Sequence, residues 1–232
     1  MSSEQTMREM IFWGATGQAK VLRECMKNSG LKLVALFDNN DILSSPFSDV
    51  PLYFGNEGFE NWLSKRKTIA PVGFLVAIGG DKGEDRIELQ KYLESRGLLA
   101  LIAKHPTAFI ADNTKIGPGS QILANSSVCV NNIIGRGCII NTGVILDHEC
   151  YVDDGVHICP GAHLAGCVTI GRYSTIGMGG IILPRIKLGE RVVIGAGTVV
   201  LEDVPSDTIL VGNPARVLKK RNEANEQIQV RK

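Results

Sequence analysis

The chain has 232 residues, a formal net charge of +1 and 44% hydrophobic residues. This length accommodates one large or two modest domains. The balanced charge gives no indication of binding to nucleic acid or to a membrane surface. No apolar stretch approaches about 18 uninterrupted residues, which predicts that no segment spans a membrane.

The start of the chain and its cysteines bear on location and on metal binding. The first ten residues contain two glutamates and lack the basic-then-apolar order of a secretion signal. Six cysteines without an export signal indicate reduced thiols in a cytoplasmic protein. Their spacing contains no C-x-x-C pair, so we expect no metal site and interpret the cysteines as small apolar core residues.

The first part of the chain, up to about residue 103, alternates strand and helix patterns. Predicted strands cover 10–13, 31–37, 72–78 and 98–102, and predicted helices cover 18–29, 59–66 and 84–96. Gly30 and Gly97 follow two of these helices, at positions where glycine commonly ends a helix. The alternation indicates an α/β domain with a small parallel sheet of the doubly wound kind.

The second part, from Ile110 to Pro205, follows a six-residue repeat. All sixteen first positions of the hexads are Ile, Leu or Val, with no insertion. Hexapeptide periodicity is typical of a parallel β-helix, in which each hexad forms a short strand and a corner. Three hexads make one coil of 18 residues, so the repeat predicts a little over five coils with first-position side chains pointing inward.

The remaining residues complete the predicted domain organisation. One more strand and a Gly-Asn-Pro turn are predicted over 209–218, and a helix after it would protect the last coil from edge pairing. We therefore divide the chain into an N-terminal α/β domain over 1–105, a β-helix over 106–218 and a charged tail or helix over 219–232.

The pair His148-Glu149 stands out in the architectural repeat. His148 occupies a third hexad position next to a corner, where side chains project outward. One coil further lies Gly166, where the backbone is expected to approach a ligand closely. An imidazole beside a carboxylate is the usual general-base arrangement for an amine or hydroxyl that must lose a proton. The alternative is an ordinary surface histidine beside a surface glutamate.

The other histidines are distinguished by their place in the repeat. His157 also projects outward, but it lies nine residues from His148, half a coil away, so the two are not expected to meet within one chain. If both serve one site, that site lies between two packed prisms, which predicts a homo-oligomer, most simply with three-fold symmetry. We interpret His105 and His163 as structural.

Several stretches together resemble a known family. The hexad array, I-N-T-G-V-I-L-D-H-E-C at 140–150, V-H-I at 156–158 and V-G-N-P-A-R at 211–216 resemble hexapeptide-repeat acetyltransferases. More narrowly, they are similar to the sialic-acid O-acetyltransferase-like family, which includes bacterial enzymes that N-acetylate nucleotide-linked 4-amino-4,6-dideoxy sugars. The resemblance covers nearly the whole chain. It implies an N-terminal Rossmann-like domain followed by a left-handed parallel β-helix.

The resemblance also implies direct transfer of the acetyl group from acetyl-CoA, without a covalent intermediate or a metal. His148 would act as general base on the sugar amine, Glu149 would orient it, and Asn141 would position the amino sugar. The main-chain N–H of Gly166 would stabilise the tetrahedral oxyanion.

For the cofactor, the resemblance implies a site between subunits of a homotrimer. His157 of a neighbouring subunit would face the thioester of acetyl-CoA. The pantetheine arm would run along the coils past Met178 and Ala196.

The N-terminal domain would then hold the nucleotide of the sugar substrate, because a glycine turn after a strand can offer its amides to phosphate. The candidate residues are Gly14, Thr16, Gly17, Gln18, Asp38, Asn39, Gly79, Asp81 and Lys82. A purely structural tight turn remains an alternative for the glycines. The family usually shows Gly-His-Ala where this chain has Gly17-Gln18-Ala19; Gln18 cannot titrate, which leaves the identity of the sugar open.

Three functions remain open at this point. The first is N-acetylation of a sugar linked to UDP, dTDP or GDP, and the second is O-acetylation of a sugar of the sialic-acid type with the same base. The third is a dinucleotide-binding or purely structural prism without transfer activity. An NAD(P) reductase interpretation of the G-A-T-G turn explains only the first half of the chain.

Overall fold

The computed structural model describes residues 7–66 and 71–221. The first six residues lie outside this range. So does most of the tail predicted over 219–232, from residue 222 onward.

The N-terminal region consists of alternating strands and helices. They are β1 (Glu9–Trp13), α1 (Gly17–Met26), β2 (Lys32–Asp38), β3 (Leu52–Phe54), α2 (Gly55–Ser64), β4 (Val72–Val76), α3 (Gly83–Ser95) and β5 (Leu99–Ala100). The five strands form one sheet in the order β3-β2-β1-β4-β5, and all neighbours are parallel. The strand order reverses between β1 and β4, so a crevice opens at the carboxyl ends of these two strands.

Both faces of this sheet are covered by apolar side chains. Trp13, Phe37 and Phe59 form an aromatic cluster on one face, with ring centroids 5.2–5.7 Å apart. Strand β3 was not predicted, because its apolar run of three residues is too short to indicate a strand. Helix α2 begins at Gly55, four residues earlier than predicted, because it follows β3 directly.

The second region is built from two-residue strands spaced six residues apart. They are β6 (Ala103–Lys104), β7 (Phe109–Ile110), β8 (Lys115–Ile116), β9 (Gln121–Ile122), β10 (Ser127–Val128), β11 (Ile133–Ile134), β12 (Ile139–Ile140), β13 (Ile145–Leu146), β14 (Tyr151–Val152), β15 (His157–Ile158), β16 (His163–Leu164), β17 (Thr169–Ile170), β18 (Thr175–Ile176), β19 (Ile181–Ile182), β20 (Lys187–Leu188), β21 (Val193–Ile194) and β22 (Val199–Val200).

These strands form three parallel sheets, in which each strand pairs with the strand 18 residues further along the chain. First-position side chains such as Ile140, Ile158 and Ile176 are fully buried and stack on one another inside. The predicted parallel β-helix is confirmed. Its regularly spaced short strands fit the left-handed form that the resemblance implied.

The junction between the two regions differs slightly from the predicted division. Strand β6 pairs with β9 and therefore belongs to the β-helix, although residues 103–104 were assigned to the N-terminal domain. Lys104 occupies the register position of Ile122. Because a lysine stands where later hexads carry an aliphatic residue, the apolar frame did not reveal this strand.

The end of the β-helix is a hairpin instead of the single strand predicted over 209–218. Strand β23 (Thr208–Val211) extends the sheet of β21, and β24 (Arg216–Lys220) pairs antiparallel with β23. The predicted Gly-Asn-Pro turn connects them. Residues 219 and 220 thus belong to a strand, not to the predicted tail.

One sheet of the β-helix lies under the N-terminal region. The outward side chains of β9, β12, β15 and β18, which we call the covered face, are Gln121, Ile139, His157 and Thr175. Their exposed fractions are only 0–8%. The carboxyl edge of the N-terminal sheet therefore rests on the β-helix. Within the described range, no helix is long and apolar enough to cross a membrane.

Candidate active site

The predicted base pair lies in an exposed corner between β13 and β14. His148 Nδ1 is 3.0 Å from Glu149 Oε2, and the two side chains are 46% and 58% exposed. A carboxylate accepts a hydrogen bond, so this contact favours the tautomer with the proton on Nδ1. The Nε2 atom of His148 is then available as a proton acceptor. The rigid coil fixes the backbone of both residues, as a preorganised base requires.

Gly166 lies directly beneath this imidazole. A Cβ atom on residue 166 would be 2.3 Å from His148 Nε2. The missing side chain leaves space for the imidazole of His148, and the predicted close approach of the Gly166 backbone to a ligand stays a prediction. The Gly166 carbonyl accepts from the Arg185 N–H at 3.0 Å, whereas its N–H donates to no group of the described residues.

His157 belongs to a different set of contacts. Its side chain projects outward from the β-helix, as predicted, but it lies on the covered face and is only 5% exposed. Its Nδ1 is 3.0 Å from the Gly80 carbonyl oxygen, and its Nε2 is 3.1 Å from Asn141 Nδ2. The N-terminal domain of the same chain covers His157 here, and its place facing acetyl-CoA from a neighbouring subunit stays a prediction.

The protonation of His157 follows from these contacts. A carbonyl oxygen only accepts, so Nδ1 carries the proton and Nε2 accepts from the Asn141 amide. Burial lowers the pKa of His157 to about 4. The ring is therefore neutral near pH 7. The Asn141 Oδ1 accepts from the Thr142 N–H at 2.8 Å, so the amide group of Asn141 is fixed at both ends.

A cavity of about 580 Å³ opens at the carboxyl ends of β1 and β4. Seven predicted residues line it: Gly14, Thr16, Gly17, Gln18, Asp38, Asn39 and Gly79. Sequence reasoning missed Trp13 and Gly80 among the lining residues. The Trp13 indole N–H is buried and has no hydrogen-bond partner within the described range.

Two of the lining residues also hold the cavity in shape. Gly14 has φ +113°, and a Cβ there would be 2.3 Å from the Ala77 carbonyl oxygen, so close packing of β1 and β4 requires glycine. Asp38 accepts from the Ala15 N–H at 2.8 Å and from the Asn40 N–H at 3.0 Å. The carboxylate of Asp38 thus orders the glycine turn with both of its oxygens.

Asp81 and Lys82, predicted for this cavity, do not line it. The loop turns at Gly80, where φ is +67°, and directs Asp81 to the β-helix. Asp81 accepts from the Thr175 hydroxyl at 3.1 Å and pairs with Arg221 at 2.9 Å. Lys82 forms a surface pair with Asp85 at 3.4 Å.

Gln18 links the cavity wall to the covered face. Its Nε2 donates to Gln121 Oε1 at 2.7 Å, and Gln121 Nε2 donates to the Val76 carbonyl at 2.8 Å. Gln121 is fully buried. This role of Gln121 was not predicted, because a polar residue at an outward hexad position usually faces solvent.

The expected cofactor positions lie on the surface of the β-helix. Met178 and Ala196 are both exposed and stand one coil apart on the same corner, where the Gly197 N–H donates to the Met178 carbonyl at 2.8 Å. They form an accessible track along the coils. None of the residues that the structure describes covers this track.

The cysteines only partly follow the prediction of core residues. Cys25, Cys138 and Cys150 are buried, whereas Cys129, Cys159 and Cys167 are half-buried. Donor atoms of His148, Glu149 and Cys167 lie within 4.8 Å of one another. Nitrogen, oxygen and sulfur donors at this spacing could hold a thiophilic divalent cation.

Comparisons of sequence with known proteins give only local matches. No protein-family model matches the chain. A serine acetyltransferase of Synechococcus elongatus is 50% identical over 50 residues, which cover 22% of this chain and 20% of that protein. The Bacillus subtilis protein YvoF, which bears an acetyltransferase name, is 39% identical over 64 residues, covering 28% and 37%. The chain thus spans well under half the length of these curated relatives.

Comparisons of structure cover nearly the whole chain. A GDP-perosamine N-acetyltransferase of Caulobacter crescentus, solved with CoA and GDP-perosamine, superposes with a TM-score of 0.84 at 26% identity, covering 93% of this chain and 99% of that one. The acetyltransferase domain of PglB from Neisseria gonorrhoeae, solved with acetyl-CoA, gives 0.81 at 28% identity, covering 92% and 100%. The predicted resemblance to hexapeptide-repeat acetyltransferases that act on sugars is confirmed.

Proposed function

We propose that this protein is an acetyl-CoA-dependent N-acetyltransferase that acts on the 4-amino group of a nucleotide-linked 4-amino-4,6-dideoxy sugar. The observation that carries the proposal is the placement of His148. Its imidazole pairs with Glu149 at 3.0 Å and lies directly over the main chain of Gly166. A base and an amide donor are thus adjacent on one rigid corner. The Caulobacter crescentus relative, which has the same architecture, was solved with CoA and a GDP-linked amino sugar.

The proton transfer is assigned to His148. Its Nε2 accepts a proton from the sugar amine as the amine nitrogen attacks the thioester carbonyl carbon. Glu149 holds the proton on Nδ1 and stabilises the imidazolium that forms. Collapse of the tetrahedral intermediate breaks the carbon–sulfur bond, and the departing CoA sulfur takes up the proton. The products are the acetamido sugar and CoA.

Stabilisation of the oxyanion is assigned to Gly166. Its main-chain N–H makes no hydrogen bond within the described range and lies beside the base. A single donor of this kind contributes roughly 3 kcal/mol to the transition state in other acyl-transfer sites. We assign the pantetheine arm of acetyl-CoA to the exposed track at Met178 and Ala196.

The N-terminal region, within 1–105, is assigned the nucleotide of the sugar substrate as a Rossmann-like domain. Its cavity of about 580 Å³ lies at the strand-order reversal, where open α/β sheets bind ligands. Thr16 and Gly17 stand at the amino end of α1, where free N–H groups favour a phosphate. The β-helix, within 106–218, supplies the base and the cofactor track. A cavity of this size favours a nucleotide-linked acceptor over a free sugar.

The active assembly is proposed to be a homotrimer with sites between subunits. On the sheet that contains β7, β13 and β19, the outward side chains include Phe109, Ile145 and Ile181, which are 59%, 41% and 41% exposed and alternate with Ser127 and His163. Exposed apolar residues grouped on one flat sheet are typical of an interaction surface. Three triangular prisms that bury one such face each make a closed assembly.

The decisive experiment measures thiol release from acetyl-CoA with UDP-, dTDP- and GDP-linked 4-amino-4,6-dideoxyhexoses. Wild type should release CoA rapidly with one of these nucleotide sugars, and His148→Ala should lose this activity. His105→Ala is the control, because His105 lies in the first coil, away from the proposed interface, and its side chain bonds only Thr107 within the described residues. No release with any amino sugar, together with release with free sialic acids, would favour O-acetylation. Equal rates for wild type and His148→Ala would exclude His148 as the base.

A further inference from the structure

Arg86, on helix α3, is a buried cation at the contact between the two regions. Its side chain is 1% exposed. The guanidinium donates to the carbonyl oxygens of Gly137 at 3.0 Å and Gly155 at 2.7 Å. Both glycines lie at corners of the β-helix. It also donates to the carbonyls of Ile78 at 3.3 Å and Gly80 at 3.5 Å, in the loop after β4. One side chain therefore joins the cavity loop to two successive coils.

Carbonyl dipoles contact the charge of Arg86 directly, and the carboxylates of Asp81 and Asp85 act on it without forming an ion pair. Within the described residues, no carboxylate forms a salt bridge with it. Burial lowers its pKa to about 10, so it stays protonated near neutral pH. A buried cation is costly unless its donors are satisfied, so these carbonyl groups must keep a defined geometry. This contact therefore constrains the relative positions of its carbonyl groups more tightly than a simple apolar contact would.

The Gly80 carbonyl connects Arg86 to the proposed active site. It accepts from Arg86 and also from His157 Nδ1, at 3.0 Å. That bond fixes the tautomer of His157, whose Nε2 then accepts from the Asn141 amide at 3.1 Å. The charged groups that face His157 are Arg86 and Asp81.

The same loop forms part of the nucleotide cavity. Ile78, Gly79 and Gly80 line the cavity on one side, while the Gly80 carbonyl binds His157 on the other. A shift of this loop therefore alters the cavity wall and the partner of His157 together. No other loop of the N-terminal sheet makes both contacts within the described range.

We propose that Arg86 and His157 are positioning residues that hold Asn141 in one orientation by fixing the cavity loop through the Gly80 carbonyl. One hydrogen-bond chain, from Arg86 through the Gly80 carbonyl and His157, thereby sets the position of the cavity loop and of the Asn141 amide. This inference rests on the proposed function for the role of Asn141. The hydrogen-bond chain itself can be tested without any activity.

The first test reads the tautomer of His157 by NMR of protein with ¹⁵N-labelled histidine. The His157→Gln variant identifies the His157 signals by their loss. Wild type should show a single tautomer protonated on Nδ1, unchanged between pH 8 and pH 6, conditions chosen around the ordinary pKa of histidine. Arg86→Lys keeps the charge but cannot reach four carbonyls, and it should give a mixture of tautomers. An unchanged His157 pattern in folded Arg86→Lys would overturn the proposal.

The matched control for the contact between domains is Arg136→Gln. Arg136 forms an ion pair with Glu94 of the same helix α3, at 2.7 Å to Oε2, but touches neither Gly80 nor His157. The control should leave the His157 signals unchanged. If Arg136→Gln alters them as Arg86→Lys does, general loosening of the contact explains the effect and the proposal fails.

The second test uses kinetics. Arg86→Lys should lower kcat at least about 10-fold and raise KM for the nucleotide sugar, with KM for acetyl-CoA unchanged. Should Arg86→Lys not fold, His157→Leu, which removes both bonds, should show the same losses, and His157→Gln, which can restore them, should recover part of the activity. Wild-type kinetics for His157→Leu would overturn the proposal. Absence of transfer in wild type would refute the proposed function, while the NMR test would still decide on the hydrogen-bond chain.

Discussion

The imidazole of His148 occupies the space in which a side chain of residue 166 would otherwise lie. A Cβ atom on Gly166 would be 2.3 Å from His148 Nε2, far inside van der Waals contact. The proposed base and the proposed oxyanion donor are therefore linked sterically, one coil apart. A change at either residue moves the other.

Gly166→Ala should test this link directly. The methyl group has to displace the imidazole, because the backbone of the coil is held by its neighbours, including the bond from the Arg185 N–H. We expect kcat to fall by about 100-fold, the usual effect of misplacing a general base. The melting temperature should change little, because the imidazole can swing into solvent. Steady-state kinetics with thermal melting measure both; full activity in the variant would contradict the geometry.

Glu149→Gln should separate the charge of the pair from its hydrogen bond. The glutamine oxygen can still accept from His148 Nδ1 but does not stabilise an imidazolium by charge. We expect kcat to fall on the order of 10- to 100-fold with a small change in KM. Glu202→Gln, which removes an exposed carboxylate elsewhere on the β-helix, is the control and should retain wild-type kcat. Equal kcat in the two variants would show that the Glu149 charge has no part in transfer.

The β-helix could be predicted from sequence because its signal is local and repeated. Each first hexad position lies in the same interior environment, so aliphatic residues such as Ile140 and Ile158 indicate the core in every coil. The exposed pair His148-Glu149 was also predictable, because its placement depends only on its own corner. The stacking of His148 on Gly166 followed from the coil length of 18 residues.

The covered face could not be predicted from the same frame. Gln121 and His157 occupy outward positions that face solvent in an isolated β-helix, and their burial depends on loops about 75 to 105 residues away in the chain. Arg86 gave no signal either, because a charged residue on a helix ordinarily faces solvent. Long-range packing of polar groups has no local pattern, which explains why the burial of His157 was not predicted.

The buried state of His157 predicts a pH dependence of stability. Its pKa is lowered from 6.5 to about 4 by burial, so the unfolded chain binds a proton more readily than the folded one between these values. Stability contributed by the neutral ring is present above pH 6.5 and is lost as the pH falls toward 4. The full shift corresponds to about 3 kcal/mol.

The measurement compares urea unfolding of wild type and His157→Gln at several pH values. Between pH 7.5 and pH 5 wild type should lose about 2 kcal/mol more of its free energy of unfolding than the variant, which has no titrating group at this position. Other carboxylates and histidines titrate equally in both proteins, so the difference isolates residue 157. Parallel curves for the two proteins would mean that His157 is not held neutral in the folded state.

Zinc should inhibit the enzyme by binding at the proposed base. Donor atoms of His148, Glu149 and Cys167 lie within 4.8 Å of one another on two successive coils, a spacing that a tetrahedral Zn²⁺ can bridge. A bound ion would occupy the imidazole and the carboxylate together. We expect micromolar Zn²⁺ to abolish transfer reversibly, with recovery on addition of EDTA.

Cys167→Ser should retain activity and need about 10-fold more zinc for inhibition, because a hydroxyl is a much weaker ligand than a thiolate. Cys129→Ser, another half-buried cysteine of the β-helix, should behave as wild type. Identical zinc sensitivity in Cys167→Ser and wild type would show that the ion binds elsewhere.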